Sequence, residues 1–222
     1  MILFGVSNML SDIYECVNLQ GKKVTKIVLN VPELKRERTK DFETRLSEFR
    51  ERPEITPLEE FTPQKGEEYF VVPTTSRKSA LVEFLKSNYQ LQFSQLIHPA
   101  AYVSPLAKIG QGVFIGANSV ISPGCDIKDF VFINHGVTVG HDTILHDYVR
   151  LNPGCNIAGH VEIFDNAIVC LGANIIEELL IGKGAVVAAG AVVIKDVEEK
   201  NLVAGIPAVV KKVYNRRASD VD

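Results

Sequence analysis

The sequence has little that marks a secreted, membrane-bound or nucleic-acid-binding protein. It has no CxxC pair; its four cysteines are Cys16, Cys125, Cys155 and Cys170. That spacing leaves no disulfide framework or zinc ribbon, and it predicts reduced, packed thiols in a cytoplasmic protein. No apolar run reaches the roughly 20 residues that span a bilayer. The N-terminus, MILFGVSN, has no basic n-region and is read as something other than a signal peptide. Formal net charge is -3, so long-range attraction to nucleic acid or an anionic membrane has no support. The first strand-to-helix turn, Gly5-Val6-Ser7-Asn8-Met9, holds one glycine where a dinucleotide fingerprint needs three.

What is present is a repeat. From Val103 an aliphatic recurs at every sixth position through Ile109, Ile115, Ile121 and onward to Val187 and Val193, sixteen positions without a slip. This register is the mark of a parallel β-helix. A second series sits two residues before each aliphatic, from Ala101 to Ala191, and is small or β-branched except at Leu179. Both series fit a triangular coil of three hexapeptides, with both side chains inward. Gly or Asn often follows the aliphatic (Gly110, Gly116, Asn134, Gly140, Asn152, Gly182), which suggests left-handed corners there. The oversized Leu179 and the Glu177–Glu178 pair predict a local bulge.

Residues 1–97 follow another rule. ILFGVS, VTKIVLN and YFVVP read as strands; MLSDIYECVNLQG and RKSALVEFLKSN read as helices. Residues 32–62 are charged and broken by prolines. The expectation is a small Rossmann-like α/β domain over 1–97, a hexapeptide-repeat prism over 98–196 and a tail, 197–222, that closes the prism. The turn at Ser7 and Asn8 is a place for a polar ligand, or simply the first turn of the domain.

Aliphatics fill the prism, so any site lies on an outer face or between subunits. Four histidines occupy outward positions there: His135, His141, His146 and His160. His141 precedes Asp142, and a carboxylate can set an imidazole's tautomer and raise its basicity. Adjacent strand residues point opposite ways, so the pairing needs a turn. Gly159, eighteen residues on, suggests open space beside His141. A zinc site built from His141, His146 and a neighbouring subunit's His135 is the metal alternative, giving a hydratase like the hexapeptide carbonic anhydrases.

The stretch VFINHGVTVGHDTILHDYVRLNPGCNIAGHVEI resembles the core of the sugar O- and N-acetyltransferases of the sialic acid and bacillosamine pathways. LIHPAAYVSPLAKIGQGVFIG resembles their domain junction. LIGKGAVVAAGAVVIKDV and LVAGIPAVVKK resemble their acetyl-CoA end, including Gly205-Ile206-Pro207-Ala208. The resemblance implies a left-handed β-helix, a homotrimer, acetyl-CoA as co-substrate and a sugar acceptor. It makes His141 the general base with Asp142 behind it, and it implies no catalytic metal. It places the CoA arm at Gly172, Ala173, Gly190, Ala191, Gly205 and Pro207, with Lys195, Lys211 and Lys212 near the phosphates. Ser7, Asn8, Asn134, Arg150 and Gly159 become acceptor contacts. Two positions depart from the family. Arg150 stands where many relatives carry a second histidine, and Ser7-Asn8-Met9 replaces a glycine-rich segment. Arg150 would bind an acceptor carboxylate or phosphate. A trimeric scaffold without catalysis is the other alternative.

Overall fold

A parallel four-stranded sheet forms the front of the chain. Its strands are β1 (Ile2–Phe4), β2 (Lys26–Leu29), β3 (Glu54–Pro57) and β4 (Tyr69–Val71), in the order β3-β2-β1-β4. The computed structural model describes residues 1–29, 42–74 and 77–214. β1 is central and wholly buried, as its unbroken apolar run requires. Helix α1 (Leu10–Leu19) turns Leu10, Ile13, Tyr14 and Val17 onto one buried face at helical spacing. Tyr14 stacks on Phe49 at 3.6 Å. α2 (Phe42–Ser47) and β3 lie within 32–62, which the sequence pattern left as broken chain. β3 ends on Pro57, and a proline fits there because β3 is an edge, paired among the described residues with β2 alone. Helix α3 (Arg77–Tyr89) follows β4, and Phe93 bridges Tyr69.

The chain divides into two compact units, Met1–Leu96 and Ile97–Asp222. The second winds as a left-handed parallel β-helix of two-residue strands in three sheets. One sheet runs from Lys108–Ile109 to Leu180–Ile181, and another from Tyr102–Val103 to Val192–Val193. The third runs from Phe114–Ile115 through Val186–Val187 to Asn201–Ala204, with Val209–Val213 antiparallel beyond it. Each strand pairs in register with the one eighteen residues on, as Ile127↔Leu145↔Ile163 shows. The two inward series make a continuous core. Polar members of the second series hold the corner of the next coil. Ser119 Oγ donates to Asn134 O at 2.7 Å, and Thr143 Oγ1 donates to Ala158 O at 3.0 Å. Cys125 Sγ reaches Gly140 O at 3.2 Å in the same way. The four cysteines are free, and burial pushes the Cys16 and Cys155 thiols up to about 12.

The corners differ from the expectation. Left-handed φ falls three residues after each aliphatic from Ile109 to Val187, at Gly112, Asn118, Gly124, Phe130 and every sixth residue to Gly190. Gly140 and its equivalents have another reason: a Cβ there would stand 2.5 Å from the Ala158 backbone. No bulge occurs at Leu179. Leu180–Ile181 pairs in register with Glu162–Ile163, and Glu178 takes the ordinary corner φ of 61°. Among the described residues no helix is long and apolar enough to cross a membrane.

Candidate active site

The corner Gly140-His141-Asp142-Thr143 gathers the chemistry. Asp142 has φ 56°, and this left-handed turn swings its carboxylate back toward the preceding side chain. His141 Nδ1 lies 2.9 Å from Asp142 Oδ2, although adjacent residues of a strand would diverge. An ionised carboxylate can only accept, so in a neutral imidazole this contact favours the tautomer with the proton on Nδ1 and the lone pair on Nε2. Both side chains are more than half exposed. The space above Gly159 is taken by the imidazole itself: a Cβ at Gly159 would meet His141 Nε2 at 2.7 Å. Gly159 therefore makes room for the His141 ring.

Corners stack through backbone hydrogen bonds. Asp142 N–H donates to Pro123 O at 3.1 Å, His160 N–H to His141 O at 2.9 Å and Glu178 N–H to Gly159 O at 3.2 Å. This column brings His160 beside the pair. Its ring meets that of His141 edge to face at 5.0 Å, and its Nε2 lies 3.9 Å from Asp142 Oδ2. His141, Asp142 and His160 are the described side chains whose ligating atoms cluster closely enough to hold a metal ion. His160 had no assignment from the sequence. Adding the coil period to Asp142, and not only to His141, would have found it. His146 is not in this cluster. Its Nε2 bonds Glu162 Oε1 at 2.7 Å and its ring stacks on Phe164, so the alternative zinc site of His141, His146 and His135 loses a member.

A second column lies one strand away. Gly136, Gly154, Gly172 and Gly190 succeed one another at corners where a Cβ would meet nothing within 4 Å. Ala173 and Ala191 are buried in the core beside them, so only their backbone can face a ligand. Between the two columns runs a polar face. There Thr138 Oγ1 donates to Asn156 Oδ1 at 2.8 Å, and Asn156 Nδ2 donates to Asn174 Oδ1 at 3.0 Å.

The other expected contacts are dispersed. Asn134 belongs to the glycine column and is buried; its Oδ1 accepts from His135 N–H at 2.8 Å. Lys195 is exposed on the His141 column, not the glycine column. Arg150 is half-buried between Phe132 and Ile168, close enough to Cys170 to oppose the rise that burial gives that thiol. Gly205 has φ 104° and precedes a cis Ile206–Pro207 bond. Lys211 and Lys212 lie on the exposed strand Val209–Val213, with Lys212 Nζ over the Tyr214 ring. In the front unit Ser7 Oγ accepts from Met9 N–H at 3.1 Å and donates to Val72 O at 3.3 Å. Asn8 gives its carbonyl to Arg45. That turn lies at the carboxyl end of β1, beside β4, where the strand order reverses and open α/β sheets bind ligands.

Residues 106–141 match the family model of the bacterial transferase hexapeptide (six repeats). A search of curated protein sequences finds no match. Solved structures match across both units. PerB from Caulobacter crescentus, in complex with CoA and GDP-perosamine, is 26% identical with a TM-score of 0.79, covering 95% of this chain and 96% of that one. The acetyltransferase domain of PglB from Neisseria gonorrhoeae, in complex with acetyl coenzyme A, is 26% identical with a TM-score of 0.78, covering 95% and 98%.

Proposed function

We propose that this chain, a hexapeptide-repeat protein related to the PerB and PglB sugar acetyltransferases, moves an acetyl group from acetyl-CoA to an amine of a nucleotide-linked sugar. The observation that carries this reading is the exposed His141–Asp142 pair at 2.9 Å, held on an outer corner over a glycine.

In the mechanism the chain supplies a base and a surface. Asp142 keeps the proton on His141 Nδ1. His141 Nε2 then takes a proton from the attacking nitrogen as the new C–N bond forms and the C–S bond breaks. The thioester supplies the acetyl group, and its sulfur leaves as the thiolate of CoA. The column of Gly136, Gly154, Gly172 and Gly190 fits a thin pantetheine arm, because nothing there stands in front of the backbone. The Thr138–Asn156–Asn174 face leads from it to His141. The front turn at Ser7 and Asn8 is assigned to the nucleotide of the acceptor, and Arg150 to a charged acceptor group.

The assembly is a homotrimer. Tyr102 and Val120 on the polar face, and Leu106, Ile176 and Ile194 on the His141 column, are large apolar side chains that a single copy leaves exposed. Packing of prism against prism covers them and turns each column into a groove wall.

The test is acetyl incorporation into a panel of amino sugars, nucleotide-linked amino sugars and sialic acids. His141→Ala lowers turnover by roughly 10²–10⁴-fold on the accepted sugar. Unchanged turnover in that variant removes His141 as the base.

A further inference from the structure

Asp142 is shared by two imidazoles, and acetyl transfer uses only one. His141 Nδ1 stands 2.9 Å from Asp142 Oδ2, and His160 Nε2 stands 3.9 Å from the same oxygen. One ligating atom from each of the three residues lies within 4.8 Å of the other two. We propose that this corner is an inhibitory site for a zinc-class divalent cation, held by His141 Nδ1, Asp142 Oδ2 and His160 Nε2, with water as the fourth ligand.

Geometry supports it first. A tetrahedron with metal–ligand distances of ~2.1 Å has edges of about 3.4 Å. The two separations from Asp142 Oδ2, 2.9 and 3.9 Å, bracket that edge, and the third, between the two imidazoles, lies within 4.8 Å, so rotation of the exposed imidazoles toward each other closes the site. The backbone does not have to move. The left-handed φ of Asp142 and of His160 already aims both residues from stacked corners, and the His160 N–H to His141 O bond ties those corners together. Chemistry supports it next. Two imidazoles and one carboxylate suit zinc and its neighbours, whereas calcium and magnesium demand oxygen ligands.

The consequence for the reaction rests on the reading of His141 as base; the binding itself does not. A neutral imidazole carries one proton. With the Nδ1 lone pair on a metal, that proton moves to Nε2, and Nε2 can no longer accept one. The ion also replaces the hydrogen bond from His141 to Asp142. A bound cation therefore silences the base without filling the glycine column.

The experiment uses the full chain without a histidine tag. Cobalt(II) is titrated in and followed by the visible absorption of tetrahedral cobalt. Zinc inhibition is read as acetyl incorporated into the sugar, because free CoA thiol would itself bind zinc. The expected result is one cobalt per chain. His160→Ala weakens cobalt binding at least tenfold, and it raises the zinc needed to halve its own zinc-free rate by at least tenfold. His146→Ala, whose imidazole is engaged by Glu162, binds cobalt like the parent chain. A parent chain with no saturable cobalt absorption overturns the site, as does a His160→Ala variant that binds cobalt as tightly. If cobalt binds through His160 while His141→Ala transfers acetyl at full rate, the site stands and the base assignment falls. If His141→Ala is inactive and cobalt does not bind, the reverse holds.

Discussion

The two units bury their cores by different rules. In the prism a residue's surroundings follow from its place in a six-residue cycle. Ile127, Leu145 and Ile163 meet because they are eighteen apart, and every corner repeats one left-handed residue. In the front unit each contact is made once, between distant elements. Phe4 meets Phe61 edge on at 5.0 Å, and Lys78 lies only 4% exposed with its ammonium 6.0 Å from the Phe70 ring. Repetition makes the interior uniform and unforgiving, so chemistry is pushed to the corners. The one-off packing of the front unit accommodates a buried cation that the prism has no place for.

The sharpest way to break this contrast is to put a charge into the prism. Leu145→Asp places a carboxylate among aliphatics with no partner, and the expected outcome is loss of the cooperative thermal transition of the prism. A folded variant would show that the coil can open locally. The converse change acts on Lys78. Burial pulls its ammonium from the ordinary 10.5 to about 7. Below pH 7 the folded and unfolded chains both carry the proton, and the folded one bears the cost of desolvating the charge. Between pH 7 and 10.5 only the unfolded chain binds it, so stability rises with pH across that window. Lys78→Met therefore gains stability relative to the parent chain at pH 6, and that gain fades toward pH 10.5. Denaturant melts across that range measure it.

Smaller changes separate space from dihedral at the corners. Gly159→Ala puts a methyl where His141 Nε2 lies, against a movable side chain rather than backbone. Turnover falls about tenfold or more because the imidazole is displaced from its reacting position, while the melting temperature stays near that of the parent. Steady-state kinetics beside a thermal melt reads both. Smallest is Glu178→Gly. Its φ of 61° strains any residue with a Cβ, and glycine relieves it for a gain of about 0.5–1 kcal/mol. The same change at Glu162, on a strand, lowers stability.

Much of the prism was legible because its signal is redundant. Sixteen aliphatics in one register leave no other way to hide them, and the outward placement of His135, His141, His146 and His160 follows. The corner dihedral was misplaced by two residues. Glycine after an aliphatic looks like a turn signal, and at Gly140 it answers instead to the approach of the next coil. In the front unit β1, β2, β4, α1 and α3 showed through periodicity. The edge strand β3 did not, because Pro57 reads as a breaker unless the strand is known to pair on one side only. At the site His141 and Asp142 were visible as neighbours in sequence, and His160 was not.

The sequence by itself determined the coil, the two inward series and the exterior position of every prism histidine, since a hydrophobic period of six permits only one sidedness. Tertiary structure alone decided which of those histidines meet. Asp142 reaches back to His141 because its corner is left-handed, and His160 joins them because coils stack eighteen residues apart. Side-chain direction at a corner depends on that dihedral and on the coil beside it, and neither is written in the spacing of residue types.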